Sequence, residues 1–111
     1  MSATLMPKQC ILIVDDTPEN IDILSDILTH DYRIRVANSG ERALKIIYSD
    51  EPPDLILLDI MMPGLSGLEI CRRLKANPDR RHIPIIFVTA MSSVEDERRG
   101  LEMGAVDYIT K

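Results

Sequence analysis

The chain has no excess of positive charge. Its formal net charge is −5 and its pI is near 4.9, which argues against non-specific binding to nucleic acid or to an acidic membrane surface, because such binding rests on basic groups neutralising phosphates. It also lacks any apolar run of about 18 residues, the length that marks a membrane-spanning helix. The opening MSATLMPKQC has neither an apolar h-region nor a charged segment ahead of one. A cytoplasmic protein that touches neither membrane nor nucleic acid directly is expected. Cysteine is scarce: Cys10 and Cys71 stand far apart, with no CxxC or Cys/His spacing, so neither a disulfide framework nor a thiolate metal site is expected. Low-complexity segments and long linkers are missing too, since EPPD and ANPDRRHIP read as proline-punctuated loops.

What is present is a chain of 111 residues, 45% of them hydrophobic, enough for one core and too short for two. Mostly unbroken aliphatic runs at 10–14, 33–36, 55–58, 85–88 and 106–109 suit strands buried on both faces of a parallel sheet. Helical spacing follows each of the first four. Thr17 precedes Pro18, a favoured first helical residue, and Ile21, Leu24 and Leu28 then share a face. Ser39 can cap a second helix carrying Ala43, Leu44 and Ile47, and Ser66 to Glu69 form a capping-box pattern that opens a third. Ser92 or Ser93 can open a fourth, running towards Met103 and closed by Gly104. The order is βαβαβαβαβ, ending at Lys111 without a fifth helix. Such a sheet leaves one face thinly covered, so a fragment of a longer protein, or a partner on that flank, is expected.

In an open parallel sheet, ligands bind beyond the carboxyl ends of the strands. Asp15 and Asp16 follow the first strand, Asp59 the third, Thr89 the fourth and Lys111 the fifth. Any one of these has a structural explanation, since Asp and Thr accept turn hydrogen bonds at strand ends; four strands delivering polar groups to one edge do not. Three carboxylates gathered there repel one another unless a cation lies between them, and magnesium suits oxygen donors while keeping several waters. Asp15 and Asp16 are therefore read as an acidic pair for a divalent ion, one ligating directly and the other through water.

ILIVDD, DLILLDIMMPGLSGLE, IPIIFVTA and GAVDYITK, in this order and at these separations, resemble the successive motifs of the receiver domain of two-component response regulators. The resemblance covers nearly the whole chain. It implies a flavodoxin-like, doubly wound α/β fold with a five-stranded parallel sheet in the order 2-1-3-4-5, here lacking the last helix. Residues 1–111 would then be one receiver domain, truncated at its C-terminus. It further implies Asp59 as phosphoacceptor, with Thr89 and Lys111 assisting transfer and Thr89 and Tyr108 forming the switch. Asp15, Asp16, Asp59 and the Met61 backbone carbonyl would hold Mg2+, with Mn2+ able to substitute.

The function so implied is Mg-dependent phosphoryl transfer to Asp59 from the phosphohistidine of a sensor histidine kinase or phosphotransfer protein. An output domain in the same longer chain and a homodimer are partners the family allows. The domain would be a stoichiometric switch rather than a turnover enzyme, promoting its own phosphorylation and dephosphorylation. Met61 and Met91, two positions past Asp59 and Thr89, would flank the route of a hydrolytic water and slow loss of the phosphate. A phosphatase of the aspartyl-phosphate type would want a general acid where Met61 stands, and a flavin phosphate would be repelled by DDTPEN. The remaining rival is a phosphorylation-independent interaction module on the same fold. His30, His82 and the charges of DRR and RRH read as solvated surface.

Overall fold

The computed structural model describes residues 8–60, 62, 64–89 and 107–110, with Thr89 and 107–110 described by backbone alone. The elements are β1 (Cys10–Val14), α1 (Pro18–Leu28), β2 (Arg33–Ala37), α2 (Gly40–Ile47), β3 (Leu55–Leu58), α3 (Gly67–Lys75), β4 (Ile85–Thr89) and β5 (Asp107–Thr110). All strands pair in parallel, in the order β2-β1-β3-β4-β5, which is the doubly wound arrangement anticipated. The last strand pairs from Asp107, opposite Ile86, to Thr110, opposite Thr89, one residue beyond its aliphatic run; Val106 lies outside the described residues. The expected helix from Ser92 or Ser93 to Gly104 lies outside the described residues.

Alternation along the strands sorts the core into two layers. Leu12, Val14, Ile56, Leu58, Ile85 and Phe87 point to one face, where Ala43 and Ile47 of α2 and Ile70, Cys71 and Leu74 of α3 complete a cluster. Ile11, Ile13, Leu57 and Val88 point to the other, against Ile21, Leu24 and Leu28 of α1. The unbroken apolar runs thus serve both faces at once, as a two-sided parallel sheet requires.

Helix ends follow local chemistry with two departures. Pro18 opens α1 as expected, but the Thr17 side chain makes no capping hydrogen bond. Ser39 Oγ accepts from the Arg42 amide at 3.2 Å and Ser66 Oγ from the Glu69 amide at 3.3 Å. In the second case the serine half of the capping box is made, while both Glu69 oxygens turn to Arg72 and Arg73 on the next turn. Those guanidinium groups hold the Glu69 carboxyl below the usual range, and Glu69 in turn raises Arg72.

One charge was misread as solvent-facing. Arg80 folds back so that its Nε donates to the Ile47 carbonyl at 2.8 Å and a terminal nitrogen to the Ser49 carbonyl at 3.4 Å, with Tyr48 5.9 Å from the guanidinium. It satisfies carbonyls that the end of α2 leaves open. Arg81, His30 and His82 are exposed, as the sequence suggests. Cys10 and Cys71 are both buried, and burial pushes the Cys71 thiol up from its ordinary value.

Candidate metal centre

The register of the sheet builds the site. Val14 stands level with Leu58, so Asp15 and Asp59, each one residue further on, emerge side by side from neighbouring strands. Main-chain hydrogen bonds lock both positions: the Asp59 amide donates to the Val14 carbonyl at 2.9 Å and the Asp15 amide to the Ala37 carbonyl at 3.1 Å. Asp15 and Asp59 are buried, at 2% and 5% exposure, while Asp16 is exposed.

One carboxylate oxygen from each of Asp15, Asp16 and Asp59 can be chosen so that all three lie within 4.8 Å of one another. For the two buried groups at that spacing, both ionised, repulsion is about 3 kcal/mol at an effective dielectric near 20. The donor set is entirely hard oxygen, which fits magnesium or manganese and not a thiolate-seeking metal. The two acidic neighbours are not equivalent. Asp15 Oδ1 accepts the Thr17 amide at 2.9 Å, and the Thr17 hydroxyl reaches Asp16 Oδ1 at 3.5 Å. Asp15 therefore already spends one oxygen on holding the β1–α1 turn, and Asp16 is the freer donor.

The Thr17 amide was not singled out from the sequence. An aspartate two residues ahead of a backbone N–H that precedes a helix is the signature of an Asx turn, and that signal was available. The loop after Asp59 turns at Gly64 with φ of +76°, the left-handed conformation expected of this glycine. Thr89 ends β4, two residues past Phe87, which pairs with Leu58, and is itself paired with Thr110 of β5. Its backbone therefore runs at the same rim as Asp59. The side chains of Thr89 and Tyr108, and the whole of Met61, Met91 and Lys111, lie outside the described residues.

An α/β sheet of this order with an acidic cluster at the carboxyl ends of β1 and β3 defines a class, and comparison with known proteins gives the same one. The family model of the response regulator receiver domain matches residues 11–111. The chain belongs to that family, the receiver domains of two-component systems.

Among relatives, a probable cyclic di-GMP phosphodiesterase of Vibrio cholerae is 53% identical over 105 residues, which is 94% of this chain and 24% of that protein. This chain thus spans about a quarter of that relative's length. The BeF3-activated DrrB receiver domain, from Thermotoga maritima, superposes with a TM-score of 0.83 at 34% identity, covering 94% of this chain and 85% of that one. The Mn(2+)-bound form of response regulator Rcp1 does so with a TM-score of 0.85 at 28% identity, covering 93% and 81%. No helix among the described residues is long and apolar enough to cross a membrane.

Proposed function

We propose that this receiver domain accepts a phosphoryl group on Asp59 from the phosphohistidine of a sensor histidine kinase or phosphotransfer protein. The phosphate then shifts the domain between two conformations and so controls an output domain in the same longer chain or a separate partner. The observation that carries this reading is the meeting of three carboxylates within 4.8 Å at the ends of β1 and β3, with Asp59 held there by the sheet's own hydrogen bonds. Such crowding has no structural benefit and suits a cation.

A carboxylate oxygen of Asp59 forms the new bond to phosphorus as the phosphorus–nitrogen bond of the donor breaks, and the imidazole leaves with that electron pair. Charge in the transition state is spread over the phosphoryl oxygens, so the domain needs positioning and positive charge more than proton transfer. Asp16, Asp59 and the Met61 carbonyl would hold a magnesium ion, or manganese in its place, with Asp15 reached through water. When bound, that ion supplies the neutralising charge for the acidic cluster and for a phosphoryl oxygen. Lys111 brings an ammonium to a second oxygen and the Thr89 hydroxyl donates to a third. Movement of Thr89 towards the phosphate is coupled to an inward turn of Tyr108.

The domain is a switch without turnover, because its nucleophile stays occupied until the phosphate leaves. A cytoplasmic setting and, in some states, a homodimer fit this role. Incubation with acetyl phosphate and magnesium, followed by intact-mass measurement, should add one phosphoryl group to the wild type. Asp59→Asn, or wild type in EDTA, should remain unmodified. A wild-type mass that does not change would favour the phosphorylation-independent interaction module instead.

A further inference from the structure

Two helices begin with the same pair of residues: Ser39-Gly40 opens α2 and Ser66-Gly67 opens α3. In both, the serine hydroxyl caps the amide three residues on. The glycines differ in what they touch. A Cβ built on Gly67 would stand 2.2 Å from the Asp59 carbonyl oxygen, 2.9 Å from its carbonyl carbon and 3.0 Å from Ile60 Cα. One built on Gly40 would first meet Leu65, at 2.7 Å from its carbonyl oxygen and 2.8 Å from its Cβ. The first turn of α3 is therefore seated directly on the peptide that carries Asp59.

The peptides on either side of it are each held by a hydrogen bond. On the sheet side the Asp59 amide donates to Val14; on the helix side the Gly67 amide donates to the Ile60 carbonyl at 3.1 Å. Neither contact involves the carboxylate, yet together they fix the backbone from which it projects. We propose that Gly67 is a positioning residue for phosphoryl acceptance: by having no side chain it lets α3 press against the Asp59 carbonyl and set the carboxylate in its acidic cluster. The inference rests on Asp59 being the acceptor.

Relieving a 2.2 Å contact to ordinary van der Waals distance requires a shift of roughly 1 Å or more, whereas reactive groups tolerate about 0.5 Å and a misplacement of about 1 Å can cost a hundredfold. Helix propensity acts in the opposite direction, since alanine favours a helix over glycine. A loss in the alanine variant is thus not a helix-propensity effect.

The test compares Gly67→Ala with Gly40→Ala, scoring thermal midpoint, Mn2+ affinity and initial rate of phosphoryl uptake from acetyl phosphate. Gly67→Ala should lose at least about tenfold in uptake, while Gly40→Ala stays within about threefold at a comparable fall in midpoint. Should Gly67→Ala fail to fold, the caps give a milder pair: Ser66→Ala, which loosens the same turn, should slow uptake by about threefold or more, and Ser39→Ala should not. Uptake by Gly67→Ala at the wild-type rate, or losses in the α2 and α3 variants that simply track stability, would overturn the proposal. Failure of wild type itself to take up phosphate would instead overturn the reading of Asp59.

Discussion

Among the described residues, the two faces of the sheet differ in how fully they are covered. Towards α2 and α3, Leu12, Ile56, Leu58, Ile85 and Phe87 are sealed at 0% exposure, and so are Ala43, Ile47, Ile70, Cys71 and Leu74 of the covering helices. Towards α1, the strand residues Ile11, Ile13, Leu57 and Val88 are buried, but no residue of α1 is. The covering helices also differ in pattern. Ala43 and Ile47, like Ile70 and Leu74, are spaced by four and make one stripe. α1 carries two: Ile21, Leu24 and Leu28 lie against the sheet, while Ile23 and Ile27 are 59% and 65% exposed. A groove of about 440 Å3 opens beside it, lined by Leu24, Ile27, Leu28, Leu57, Ile86 and Val88 among others. The denser packing among the described residues lies on the side that carries α3, and α3 is the helix seated behind Asp59.

That asymmetry can be broken most forcefully in the core. Leu74→Ala should cost about 3 kcal/mol or more, as full burial implies, and Leu24→Ala on the α1 face about 1 kcal/mol. Urea denaturation reads both, and equal losses would mean that the two faces are equally well packed. A middling effect is expected at Arg80, whose guanidinium joins the end of α2 to the segment after α3. Arg80→Ala should lose about 1–2 kcal/mol, and Arg80→Lys should recover only part of it, since an ammonium cannot reproduce the planar fork. Full recovery by lysine would reduce the interaction to simple charge.

The smallest effects are in pH. Arg72 and Arg73 hold the Glu69 carboxyl down, so the stabilisation is present above the ordinary carboxylate range and is lost as pH falls through the depressed folded value. Glu69→Gln should flatten that acid limb slightly, as suits an exposed pair. The Cys71 thiol behaves in mirror image. Its raised folded value gives a contribution that is complete below the unfolded thiol's ordinary range and falls away as pH rises through the folded one. Cys71→Ala should remove this alkaline decline while lowering stability at neutral pH. An unchanged alkaline limb would locate that decline in another group.

Much of this was readable before any coordinates. Strand runs such as CILIV end at charged residues, so their bounds and the emergence of Asp15 and Asp59 at one rim follow from the pattern and the parallel arrangement. The extension of β5 to Thr110 was hidden because the aliphatic run ends at Ile109, whereas pairing with Thr89 carries the strand one residue further. Arg80 was misread for a deeper reason: its partners Ile47 and Ser49 are main-chain carbonyls some thirty positions away, and nothing in DRR announces them. The approach of Gly67 to Asp59 spans only eight positions, yet it depends on how the intervening loop turns back. SGLE gives the cap, and the same letters say nothing of what the missing side chain makes room for.

The three-aspartate cluster also makes folding and ion content a single equilibrium. A cation that binds the native state and not the unfolded chain stabilises it by about 2.7 kcal/mol at a hundred times its dissociation constant. For a domain of this size that amounts to about 10 °C of melting temperature. The salt composition of the surroundings then helps decide how firmly the acidic rim, and the strands feeding it, hold together before any phosphate arrives.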